Sequence, residues 1–158
     1  PRQWSELSKL AAEEREQVLP AILAWADGGA RLSGVEVVQG FQQTMAMRRA
    51  TESVFETVDA VISPTTPNIA FPAEWASPTN DPRQPFEHIA YTVPWNMGEQ
   101  PAISLNAGLS KRNMPIGVQL IGPRFADHFV LKLARQLEAR LGLPMCLPMP
   151  VCDKSVLE

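Results

Sequence analysis

The chain has 158 residues and a mass of 17.4 kDa, with 45% hydrophobic and 20% charged side chains, the size and balance of one ordinary globular domain. Its 14 Lys and Arg against 17 Asp and Glu give a formal charge of −3, which argues against the basic stripe of a nucleic-acid binder. No apolar run approaches the ~20 residues of a membrane span, and the polar stretch Pro1–Glu16 does not read as a secretory signal. A soluble, cytoplasmic protein is the expectation, with neither nucleic acid nor membrane as partner.

The first third reads as helical. Val18, Leu19, Ile22, Leu23 and Trp25 supply an apolar stripe, Pro20 marks a break or a fresh start, and Asp27-Gly28-Gly29 is a stop signal. Ser33-Gly34-Val35-Glu36 has the capping-box form and starts a second helix reaching about Glu56. Val38, Phe41 and Met45 share one face of it, while Arg48, Arg49 and Glu52 extend the polar side.

The period then changes. Val58–Ile62 is short and β-branched and stops at Ser63-Pro64, the pattern of a buried strand. Eight of the 15 prolines fall between Pro64 and Pro101. From Pro64 to Glu87 neither periodicity holds, yet Phe71, Trp75 and Phe86 make the segment too apolar for a linker. A long ordered loop is expected there, and such loops commonly carry function.

Ala102–Leu109 and Ile116–Ile121 read as strands joined by a hairpin at Lys111-Arg112-Asn113. Asp127 is expected to cap a final helix carrying Phe129, Val130, Leu133, Ala134, Leu137 and Leu141 on one face, with Gly142 past its end. Residues 144–158 form a proline-punctuated tail. Cys146 and Cys152 within it read as free thiols, because a metal site needs three or four converging ligands and His88 and His128 lie far away in sequence. No metal and no cofactor is expected.

The order is thus helices, strand, long loop, two strands, helix: an α/β pattern in which residues 1–57 are mainly helical and 58–143 form the core segment. Three strands with near-continuous apolar runs need cover on both faces, so the chain reads as part of a larger layered structure. Its own residues offer no complete catalytic set. There is no Gly-x-Ser-x-Gly elbow, no two serines are adjacent, and Lys9, Lys111, Lys132 and Lys154 fall in turns, polar faces or termini. His88, in the aromatic segment Phe86–Tyr91, is a candidate pocket residue, whereas His128 reads as a surface residue in a first helical turn.

Three segments carry a resemblance. Ile62-Ser-Pro-Thr-Thr-Pro67 ends a strand; Thr92-Val-Pro-Trp-Asn-Met-Gly-Glu-Gln-Pro-Ala-Ile-Ser104 follows the loop; Met114-Pro-Ile-Gly-Val-Gln-Leu-Ile-Gly122 leads into the last helix. In this order they resemble the C-terminal part of the amidase signature family. The resemblance implies a mixed sheet flanked by helices and hydrolysis of a carboxamide C–N bond. The family's Lys, cis-Ser and nucleophilic Ser lie in a Gly/Ser-rich stretch that nothing here matches, so no catalytic residue is carried over and the chain alone is expected to be inactive.

Thr65 and Thr66 stand where open α/β sheets place their sites, beyond the carboxyl end of a strand. They either wall the substrate pocket or cap a turn fixed by Pro64 and Pro67. Trp95 and Asn96 offer an aromatic wall and a polar hook, or a local backbone cap. Gln119, inside an apolar strand, needs partners in a pocket or between strands.

The glutamine-hydrolysing subunits of tRNA-dependent amidotransferases resemble the chain around Asp81-Pro82 and continue to an Asp that receives the substrate amino group. Counted without gaps, that position is Ile89, which cannot pair with an ammonium. A small neutral or apolar amide is therefore expected as substrate rather than glutamine. The alternatives are a non-catalytic binding or assembly domain that keeps half of the fold, and the disfavoured A-type amidotransferase component. The partner expected for the uncovered sheet is a second copy of the chain or a missing N-terminal half.

Overall fold

The computed structural model describes residues 1–142; the tail with Cys146 and Cys152 lies outside the described residues. Three short helices open the chain, α1 (Arg2–Leu7), α2 (Ala12–Arg15) and α3 (Pro20–Asp27), the last with its proline in the first turn. The fresh start at Pro20 follows because that position needs no N–H and is already near helical φ. Arg15 fastens the group: it donates to Asp27 at 2.6 Å and lies over the Trp4 ring at 5.6 Å. A 3₁₀ turn over Gly28–Arg31 leads to α4 (Gly34–Val54).

At the start of α4 the Ser33 hydroxyl accepts from the Glu36 N–H at 3.3 Å, and the Glu36 carboxylate accepts from the Ser33 N–H at 2.8 Å. The capping box is as the sequence implies. The helix ends two residues early, at Val54, because Phe55, Glu56 and Thr57 each bond three residues back and unwind it into a turn.

That turn delays the first strand, so β1 is Val61–Pro64 and not Val58–Ile62. Nor is it fully buried: Ile62 is 60% exposed. β2 (Ala102–Leu109) and β3 (Pro115–Ile121) form the expected hairpin, with Asn113 in the left-handed region at its turn. The sheet order is β1-β3-β2 and both pairings are antiparallel.

Two helices flank the hairpin. The sequence pattern gives no sign of the first: Val93–Gly98 forms α5 with Pro94 in its first turn, closed by Glu99 at φ 63°. The residue before a proline is biased toward extended backbone, which hides a short helix that merely begins with one. Helix α6 (Asp127–Leu141) closes the described chain, and Gly142 ends it with φ 59°. Asp127 is the first helical residue and not the cap. Ala126 holds the cap position without a side-chain bond, and the Asp127 carboxylate instead meets the positive end of the helix dipole.

The core lies between one sheet face and α6. Leu105, Leu120 and Ala134 are buried together, with Ile103, Val118, Leu133 and Leu137 packed around them. Gly122 lets α6 approach, since a Cβ there would stand 2.5 Å from Val130 Cγ2. The helical segment has no comparable centre. Only Thr51 of α4 is buried, while Phe41, Val38 and Met45 are 70%, 56% and 48% exposed. No helix among the described residues is long and apolar enough to cross a membrane.

Candidate functional site

On the sheet face opposite α6 the strand register sets Ser63, Gln119 and Ser104 side by side across β1, β3 and β2. Gln119 is 3% exposed, so its amide must be satisfied inside the protein. Its Nε2 donates to Ser63 Oγ at 2.9 Å and to the Tyr91 carbonyl at 2.6 Å. The residue thus bonds between strands and also ties the end of the long loop to the sheet.

One step along, Thr65 donates its N–H to the Gly117 carbonyl at 3.0 Å, and its hydroxyl meets Ser104 Oγ at 2.8 Å. That second bond spans the middle strand. Gly117 permits it, because a Cβ there would lie 2.9 Å from Thr65 Oγ1 and 3.4 Å from Ser104 Oγ. Thr66 is exposed and its hydroxyl donates to the Asn68 carbonyl at 3.0 Å. Thr65 and Gln119 therefore belong to one polar row on the sheet, with Thr66 at its rim.

Trp95 and Asn96 stand apart from that row on α5, the helix that packs on α4. Trp95 meets Phe55 edge-on at 6.2 Å, and Asn96 is exposed beside it.

His88 lies in a 3₁₀ turn (Glu87–Ile89) and lines a cleft of about 320 Å³ between α3 and the long loop. Trp25 and Phe86 form its aromatic wall, with ring centroids 5.1 Å apart and planes at 89°, the edge-to-face arrangement that aromatic pairs favour. Ile22 and Ile89 line it as well. Of its polar lining, the Asp81 carboxylate is occupied by Arg83, which donates from Nη2 at 2.7 Å and from its backbone N–H at 2.9 Å. Those hydrogen bonds hold the Asp81 carboxyl below its ordinary range. His88 Nδ1, in contrast, is buried without a hydrogen-bond partner among the described residues. His88 and Ile89 are joined to the polar row through Tyr91, whose carbonyl Gln119 holds.

In sequence, Trp25 is only a helix-stripe residue and Phe86 only a loop aromatic. Their pairing joins segments far apart in the chain, and no local pattern announces it.

A β-hairpin flanked by a third antiparallel strand, backed by one helix and overlaid by a proline-rich loop, is the frame that holds these residues. The family model described as Amidase matches residues 4–131, and the chain belongs to the amidase family. It is 39% identical over 92 residues to the A-type component of glutamyl-tRNA(Gln) amidotransferase from Halothermothrix orenii, an alignment covering 58% of this chain and 19% of that protein. Among solved structures, 6-aminohexanoate cyclic dimer hydrolase superposes with a TM-score of 0.75 at 22% identity, over 93% of this chain and 34% of that one. The corresponding amidotransferase component of Thermotoga maritima superposes at 0.58 with 28% identity, over 85% and 28%. The chain spans about a fifth of the length of the curated relative it matches.

Proposed function

We propose that these residues are the C-terminal portion of a cytoplasmic amidase that hydrolyses a neutral carboxamide to an acid plus ammonia or an amine. In this reading the nucleophilic serine lies outside the 158 residues, and the chain supplies sheet and substrate-pocket wall. Thr65, Thr66, His88, Trp95, Asn96 and Gln119 remain the pocket candidates, with His88 foremost because it lines the cleft. The observation that carries the reading is the cleft at Ile89 within an amidase-family fold. It presents apolar and aromatic walls, and Arg83 occupies the one carboxylate that lines it among the described residues. An α-ammonium group would lose its hydration there without gaining a free counter-charge.

A second reading, the glutamine-hydrolysing component of an amidotransferase, has support in the 39% identity to such a protein. Ammonia release by the full-length protein that contains this chain separates the two. A simple aliphatic or aryl amide turned over in preference to glutamine supports the amidase; a clear preference for glutamine refutes it. The 158 residues alone are predicted to give no turnover, and serine-inhibitor-sensitive hydrolysis by the isolated chain would overturn that. The isolated chain is also predicted to self-associate through its uncovered apolar surface, and a clean monomer in light scattering would count against it.

A further inference from the structure

The polar row and the cleft meet at one hydrogen bond. Gln119 stands in the middle strand, its backbone paired with Ser63 of β1 and Ser104 of β2, and it is buried, so it is a fixed post. Carbonyls only accept, so the atom facing the Tyr91 carbonyl at 2.6 Å is the amide nitrogen, which fixes the orientation of the amide. The Tyr91 ring is 42% exposed; the fastening at this residue is its backbone carbonyl. The bond reaches further than Tyr91. The Ile89 carbonyl accepts from the Thr92 N–H at 3.0 Å and from the Thr92 hydroxyl at 3.2 Å, while the Ile89 N–H donates to the Phe86 carbonyl at 3.1 Å. Residues 86–92 are thereby one internally bonded turn that shifts as a body. Holding Tyr91 holds His88 and Ile89, both of which line the cleft. Without its donor the Tyr91 carbonyl gains by turning toward water, and the turn goes with it.

We infer that Gln119 is a positioning residue: through the Tyr91 carbonyl it fixes the Ile89 wall of the substrate cleft, and so sets how tightly the amide is held without touching it. Of the six pocket candidates, Gln119 then acts on substrate only through the backbone of another segment. The inference rests on the amidase reading for the ligand of the cleft.

The test measures kcat and KM for ammonia release from propionamide and from glutamine, with the full-length protein that contains this chain. Gln119→Met is close in size to the native residue but has no donor. It should raise KM about tenfold and leave kcat within about twofold, the signature of lost binding away from the reacting bond. Tyr91→Ala keeps the carbonyl and should leave both constants within about twofold. Ile89→Ala should raise KM about tenfold in the unaltered background but less than about twofold in Gln119→Met, because the wall it trims is already displaced.

A Gln119→Met effect on kcat in place of KM, an equal effect from Tyr91→Ala, or independent effects of Gln119→Met and Ile89→Ala overturns the proposal. Should Gln119→Met fail to fold, hydrogen exchange in the unaltered protein decides. Ile89 and Thr92 amides as protected as that of Gln119 support it, and freely exchanging ones overturn it. A preference for glutamine with the coupling intact refutes the amidase reading and leaves the positioning role standing. A preference for propionamide without the coupling does the reverse.

Discussion

The two halves of the chain use apolar residues in opposite ways. From β1 onward, Leu105, Leu120 and Ala134 are buried together and pack one sheet face against α6, as in a helix-on-sheet layer pair. Before β1, apolar residues are just as regular in sequence, yet the α4 stripe at Val38, Phe41 and Met45 faces outward. The same helical period therefore marks a core face in one half and an uncovered face in the other. Periodicity tells which side of a helix is apolar; a partner surface decides whether that side is inside.

Stability is predicted to follow the same division, and substitutions can break the contrast. Leu120→Ala, at a fully buried position, should cost ~2–5 kcal/mol, whereas Phe41→Ala should stay within about 0.5 kcal/mol. Denaturant midpoints of the two variants measure this; comparable losses would mean that α4 is covered in solution. Next in size is Gln119→Ala, which strands the Tyr91 carbonyl and Ser63 and should cost ~1–3 kcal/mol. Amide exchange should then rise in the loop before α5, and an unchanged loop would show that Gln119 does not anchor it.

Gly117→Val would push a side chain between Thr65 and Ser104, at ~1–3 kcal/mol for overpacking. The readout is exchange at the Thr65 amide, which should quicken while the α6 amides stay protected. Ser33→Ala should remove about 1 kcal/mol from the helical half alone, seen as lower helicity by circular dichroism.

That cap also has a pH signature. The hydrogen bonds from the Ser33 backbone and hydroxyl hold the Glu36 carboxyl below its ordinary range. A carboxylate with a depressed folded-state pKa stabilises above its unfolded value and loses that contribution as pH falls through the folded one. Helicity of α4 should thus hold from about pH 7 to about pH 5 and decline below about pH 4. In Ser33→Ala this acid-sensitive portion should shrink without vanishing, because the backbone N–H of residue 33 still donates to the Glu36 carboxylate.

The smallest effect concerns the link between the halves. Glu99 at the end of α5 pairs with Arg48 of α4 and with Arg124, which also reaches Glu52 of α4 at 3.0 Å. Arg124→Gln should loosen exchange in the last turns of α4 without moving the denaturant midpoint of the sheet, and high salt should mimic it.

Much of this architecture is legible in the residues. Ser33 with Glu36 announces α4, the turn at Asn113 announces the hairpin, and the three family segments announce the fold. What escapes has physical causes. α5 carries Pro94 in its first turn, so its helical turn hides behind the extended-looking dipeptide Val93-Pro94. β1 starts late because the end of α4 unwinds through backbone bonds that side-chain identity does not encode. At the candidate site, the amide of Gln119 demands partners from sequence alone, but a strand serine and a loop carbonyl become its partners only through register. Nor can Trp25 and Phe86 be joined in advance, since contacts between distant segments depend on how the loop folds back over α3.

The most direct test of this account is the charge selectivity that Ile89 is argued to set. Glutamine and a neutral amide should be compared in the full-length protein before and after Ile89→Asp, with kcat/KM measured for each. The account predicts that the unaltered protein favours the neutral amide and that the substitution moves the ratio toward glutamine by at least about tenfold, as a newly paired ammonium would. A protein that already prefers glutamine, or a ratio that Ile89→Asp leaves untouched, would contradict it.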